Sequence, residues 1–145
     1  DSGSRSFDVA ANALGGTEQV RQRLVDWGWR MNSFRIWACD SPPPGRAGWI
    51  DISVHVFSSD AAARQAVDFY AQQRVDNTDT QFVSAPRGFE YSVAITGPTT
   101  NGTEFTVYSS YGPMMMRATG VSPSGMPVTD VVSVAEYIWS LQDVR

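Results

Sequence analysis

Residues Gly48 to Arg74, GWIDISVHVFSSDAAARQAVDFYAQQR, decide how this chain is read. Ile50, Ile52, Val54 and Val56 alternate with Asp51, Ser53 and His55, the period of a strand with one apolar face. Ser59 and Asp60 then supply helix-capping chemistry. Ala62, Ala66, Phe69 and Tyr70 recur at helical spacing, so the strand feeds directly into a helix.

Upstream, Thr17 and Glu18 suit a helix start, Val20, Leu24 and Trp27 form a stripe, and Gly28 ends it. Trp29 to Asp40 alternates Phe34, Ile36 and Ala38 against Arg35, Trp37 and Cys39, a second strand. The proline-rich run Ser41 to Gly48 cannot enter a ladder and reads as an exposed loop. Residues 1–16, rich in Ser, Gly, Asp and Asn, are expected to form a flexible arm or linker, leaving 17–145 as a single domain.

Downstream, Gln81 to Ala85 reads as a brief edge strand, and Phe89, Tyr91, Val93 and Ile95 alternate with polar or small residues in a clear one. Gly97 to Gly102 has turn chemistry, with Asn101-Gly102 at its end, so Thr103 to Tyr111 should complete a hairpin. Met114 to Val121 reads as its meander partner. Thr129 then offers an N-cap to a last helix carrying Val131, Val134, Ala135, Ile138 and Leu141. The expected order is α-β-β-α-β-β-β-α: an α+β fold, its antiparallel sheet of about five strands packed by helices mainly on one face.

Composition narrows the function. At 145 residues, 42% hydrophobic and 12% aromatic, the chain is long enough to bury one core unaided. All eleven basic residues are Arg, scattered along a chain of net charge −4, which argues against a nucleic-acid partner. The sequence begins without Met and without a signal peptide, so it reads as a mature or excised segment, with any membrane attachment outside it. The single Cys39 excludes an internal disulfide and a multi-cysteine zinc site.

Asp51, Ser53 and His55 are the three residue types of a hydrolytic triad, and they share one strand face. Alternate strand residues stand about 6.5–7 Å apart, which places a triad poorly, and no G-x-S-x-G elbow is present. A polar strand face is the preferred reading, with a small hydrolase-like enzyme using these three as an alternative. His55 is the only histidine, and neither metal-binding nor phosphate-cradling motifs occur, so no metal and no cofactor are expected. Cys39 reads as a small hydrophobe, and Glu90 and Glu104 are placed opposite each other across the hairpin as solvated positions.

Large soft side chains are abundant. On a strand Met114, Met115 and Met116 cannot share a face, so either both sheet faces are covered or an apolar surface is open. A cleft built from Trp29, Trp37, Trp49, His55, Tyr108, Tyr111, Met115 and Arg117 would take a small apolar or ring-bearing ligand. A further alternative is a protein-interaction module that presents the Met114–Met116 strand or the proline-rich loop to a protein partner.

Three segments, VHVFSSDAAARQAVDFYAQQR, YSSYGPMMMRATG and TDVVSVAEYIWSLQDVR, together resemble a class of bacterial extracytoplasmic α+β domains. It includes Mog1/PsbP-like lipoproteins and extracellular sensor domains of serine/threonine kinases. The resemblance implies a membrane-tethered or secreted, non-enzymatic sensor or ligand-binding domain, and it transfers no catalytic residue.

Overall fold

The computed structural model describes residues 2–142. In chain order the elements are β1 (Ser2–Gly3), α1 (Phe7–Ala13), α2 (Glu18–Asp26), β2 (Met31–Ala38), β3 (Trp49–Val56), α3 (Asp60–Asn77), β4 (Gln81–Val83), β5 (Tyr91–Thr99), β6 (Gly102–Tyr111), β7 (Met114–Ser122) and α4 (Val128–Ser140). The strands form one antiparallel sheet in the order β1-β2-β3-β7-β6-β5-β4. The α+β class is as expected. The sheet has seven strands rather than about five, because the brief β1 and β4 extend its two edges.

The opening strand and helix form where the pattern places them. Asp51↔Thr119 and Ser53↔Arg117 seat β3 against β7 in mid-sheet, and the Ser59 hydroxyl accepts from the Ala62 N–H at 3.1 Å to cap α3. Ala63, Ala66, Val67, Tyr70 and Ala71 lie on the buried side of α3. The small alanines let the helix lie close to the sheet.

Helices cover both faces, not mainly one. Helices α1, α2 and α3 pack with Ile95, Tyr108 and Met115 in one core. Helix α4 packs through Val131, Ala135 and Trp139 on Phe105, Val107, Met116 and Ala118 in another. Strand alternation separates the two: Met115 and Met116 are each fully buried, one in each core. Covering both faces therefore resolves the methionine run as core.

Four local expectations change. Residues 2–13 are built in: β1 pairs with β2, the Ser6 hydroxyl caps α1, and Ala10 and Ala11 are fully buried. Strand β5 runs through Gly97 and Pro98 to Thr99; Pro98 lies beyond the last β4 pairing, where β5 is an edge and a missing N–H is tolerated. Helix α4 starts at Val128 after a Pro127 cap, leaving Thr129 inside its first turn. Leu141 is exposed at its end, and Trp139 holds the inward position instead.

Gly28 ends α2 as the pattern requires. Its φ of 64° lets the Trp29 N–H return to the Leu24 carbonyl at 2.9 Å and its own N–H to Val25 at 3.0 Å, a Schellman closure. The turn delivers Trp29 to the end of β2, beside β3.

Candidate functional site

The face of the sheet beneath α1, α2 and α3 is a grid set by the register. Reading across β2, β3, β7 and β6, one row holds Asn32, His55, Met115 and Ser110, and the next Phe34, Ser53, Arg117 and Tyr108. The third holds Ile36, Asp51, Thr119 and Thr106. The alternation that buries Ile52 among apolar side chains therefore turns Asp51, Ser53 and His55 to the face where Arg117 and Thr119 stand. All three polar residues are buried.

Their partners do not make a triad. The Asp51 carboxylate is bonded to Arg117 Nη2 at 2.7 Å, not to the imidazole. The Trp29 indole N–H donates to His55 Nδ1 at 3.0 Å. An indole nitrogen only donates, so Nδ1 must accept and the ring hydrogen sits on Nε2. His55 Nε2 lies 3.3 Å from the Ser53 hydroxyl, toward which it presents a hydrogen rather than a lone pair. A base in that tautomer cannot take the serine proton.

Electrostatics hold the ring in that state. Burial, joined by the positive charges of Arg117 and Arg5, pushes the His55 pKa down to about 3. Arg5 reaches the cluster from between β1 and α1, donating to the Ser53 hydroxyl at 3.1 Å. Asn32 Nδ2 donates to the same oxygen at 2.7 Å and to the Val54 carbonyl at 3.1 Å. Asn32 Oδ1 and Asp51 Oδ1 are buried in this cluster without a protein partner.

A second ion pair lies farther along the same face. Arg74, in the last turn of α3, bonds the buried Glu104 of β6, whose other oxygen accepts from Thr106 at 2.6 Å. Thr106 in turn contacts the Thr119 hydroxyl at 2.9 Å, joining this pair to the row of Asp51. Glu104 pairs in register with Gly97, whereas Glu90 precedes β5 and contacts Arg64 at 3.5 Å. The two acids expected to face each other are therefore apart.

Two cavities meet at Arg74 and Arg117. One, of about 470 Å³, lies between the α1–α2 connection and the C-terminal half of α3, with Tyr70, Tyr108, Asn12 and Gln73 in its walls. The other, of about 640 Å³, opens toward the loop before β3 and includes Trp49, Glu104, Thr119 and Cys39. Both volumes fall within the roughly 300–1,000 Å³ of small-molecule sites. Gly15 in the lining of the first takes φ 124°, a backbone conformation that favours glycine, and an added Cβ would lie 2.7 Å from Gln73 Nε2.

The residues singled out from sequence do not all converge. Trp49, Tyr108 and Arg117 line these cavities. Trp29 and His55 form the buried polar cluster beside them, and Met115 is core. Tyr111 stacks on Trp139 at 5.8 Å on the opposite, α4-covered face of the sheet, and Trp37 is an exposed residue under Arg35. Sequence reasoning missed Arg5 and Arg74 and the role of Glu104. Strand alternation offered a signal for Glu104, since it shares a face with Thr106 and Tyr108; neither arginine carried one.

Among the described residues no group of three or more His, Cys, Asp and Glu side chains is gathered to hold a metal ion. None of the described helices is long and apolar enough to cross a membrane. Comparison with protein-family models, curated protein sequences and solved structures finds no match to this chain.

Proposed function

We propose that this chain is a non-enzymatic ligand-binding or sensor domain, carried outside the cytoplasm by a membrane-attached bacterial protein such as a serine/threonine kinase. The single observation that carries the binding reading is the pair of cavities meeting at Arg74 and Arg117. Each guanidinium commits only Nη2 to its carboxylate, and its remaining N–H groups make no hydrogen bond to another described residue. Arginines held in place with donors to spare are built for recognition.

The tautomer of His55 favours binding over hydrolysis, because the imidazole beside Ser53 has no lone pair directed at it. The extracytoplasmic placement rests on the three segments that resemble bacterial extracytoplasmic domains. A polar ligand replaces the apolar one expected from the aromatic content, since two arginines occupy the junction of the cavities.

A thermal-shift screen with neutral, anionic, cationic and apolar small molecules tests the binding reading. At least one class should raise the melting temperature in a concentration-dependent way; silence from every class rejects it. Fusion of the full-length coding sequence to alkaline phosphatase tests the location, and an inactive fusion rejects that part alone.

A further inference from the structure

The chemistry of the first cavity is more specific than a general polar cleft. Arg5, Arg74 and Arg117 gather around the carboxylates of Asp51 and Glu104, so three guanidinium groups face two carboxylates. The positive charge left over is that of Arg5, which stands beside Asp51 and Ser53 outside the cavity lining. The wall of the 470 Å³ cavity itself includes Arg74 and Arg117 and no acidic side chain. The Asp51 and Glu104 carboxylates neutralise the arginines from behind.

Two tyrosines add to this. Tyr70 is 2% exposed, lines the cavity, and its hydroxyl has no hydrogen-bond partner. The Tyr108 ring, equally buried, stands on the floor beside Arg117, Arg74 and Glu104. A buried hydroxyl without a partner is costly to keep unless something satisfies it. The rim supplies the side-chain amides of Asn12, Gln73 and Asn77, which bond hydroxyl groups either as donor or as acceptor.

We propose that this cavity binds a small polyhydroxylated monocarboxylate, a sugar acid of the uronate class. Its carboxylate lies between Arg74 and Arg117, and its hydroxyls reach Tyr70 and the rim amides. A planar carboxylate matches the guanidinium forks and brings a single negative charge to two arginines that each already face a carboxylate. A phosphate dianion would set two negative charges against arginines already paired to carboxylates, and an apolar ligand leaves the arginine donors and the Tyr70 hydroxyl unpaired. The proposal rests on the binding-domain reading above and names its ligand chemistry.

The test is an NMR titration of the isotope-labelled chain with D-glucuronate, D-glucose and inorganic phosphate at constant ionic strength. Glucuronate should give saturable shifts at Tyr70, Arg74, Tyr108 and Arg117, and glucose should bind at least about tenfold more weakly, the scale of a lost charge-assisted contact. Tyr70→Phe, which keeps the ring, should weaken glucuronate by about threefold to tenfold. The double variant D51N/R117Q, which keeps a neutral pair on the sheet, should weaken it by at least about tenfold.

Phosphate or glucose binding as tightly as glucuronate overturns the proposal. So does unchanged glucuronate affinity in Tyr70→Phe, a conclusion that does not depend on whether the double variant folds. If glucuronate is silent while the thermal-shift screen finds another ligand, this inference fails and the binding-domain reading survives. Silence in both experiments rejects both.

Discussion

The indole N–H of Trp29 donates to Nδ1 of His55 at 3.0 Å, and this contact sets the tautomer of the only histidine in the chain. Protonating Nδ1 would set one N–H against another in a site already shared with Arg5 and Arg117. The ring is therefore locked neutral by a donor as well as by burial. That lock reaches from the turn after α2 to the middle of the sheet, so it also ties the helical layer to β3.

The lock makes stability depend on pH in a defined direction. His55 has a pKa of about 3 in the folded chain against an ordinary 6.5. Above about pH 6.5 neither the folded nor the unfolded state binds the proton, so His55 adds no slope. Below it the unfolded chain takes up a proton that the folded one refuses, and folding loses about 1.4 kcal/mol per pH unit until near pH 3. In His55→Asn, whose side-chain oxygen can accept from Trp29 without titrating, this part of the slope should vanish. Urea unfolding at intervals between about pH 7 and pH 4 measures it; parallel slopes in the two proteins would refute the assignment.

Arg117 should matter more for what it neutralises than for what it adds. Its removal leaves the Asp51 carboxylate, 6% exposed in its side chain, without its cation. Arg117→Ala is expected to cost about 3 kcal/mol, the lower end for a broken buried pair because Arg117 itself is partly solvated. D51N/R117Q should recover most of that loss by removing both charges. Equilibrium denaturation of both variants decides, and a double variant no better than the single one would contradict this.

Ser53 acts as the junction of the cluster, receiving both Asn32 Nδ2 and Arg5 Nη1. Ser53→Ala leaves those donors without their oxygen and should cost about 1–3 kcal/mol. Because Arg5 lies between β1 and α1, amide hydrogen exchange in residues 2–13 should accelerate more than exchange in α4. Equal acceleration in both regions would mean that Arg5 does not anchor the N-terminal segment.

The second core depends on close approach of α4 to β7. A Cβ at Gly120 would lie 2.5 Å from Val131 Cγ2 and 3.2 Å from Pro127 Cγ. Gly120→Ala should therefore displace α4 at a cost of about 1–3 kcal/mol. Trp139 reports on it: its indole N–H donates to Ser109 at 2.9 Å, and that proton should exchange faster in the variant. Unchanged exchange and stability would show that the helix yields without strain.

Periodicity settled what is local. The β3–α3 unit, the hairpin strands, the meander and the last helix all form, with shifts only at the β5 and α4 ends and Trp139 inward in place of Leu141, because which face a side chain takes within a strand or helix follows from backbone geometry alone. Alternation even required Met115 and Met116 to point in opposite directions. It carried no information on what would lie against each side, so the two-sided covering by helices emerged only when both cores were assembled.

The candidate site shows the same division. That Asp51, Ser53 and His55 share a face was legible in seven residues of sequence, and so was the poor spacing of a triad. Their partners were not: Trp29 and Arg117 lie 26 and 66 residues from His55 and Asp51 respectively, and Arg74 meets Glu104 over 30. Strand register and helix docking bring those groups together, and neither is encoded in a local pattern. The sequence alone thus determined the polar strand face at the start of the chain's most regular segment. Only the tertiary structure decided that its aspartate holds an arginine at a cavity junction and that its histidine is held neutral by an indole.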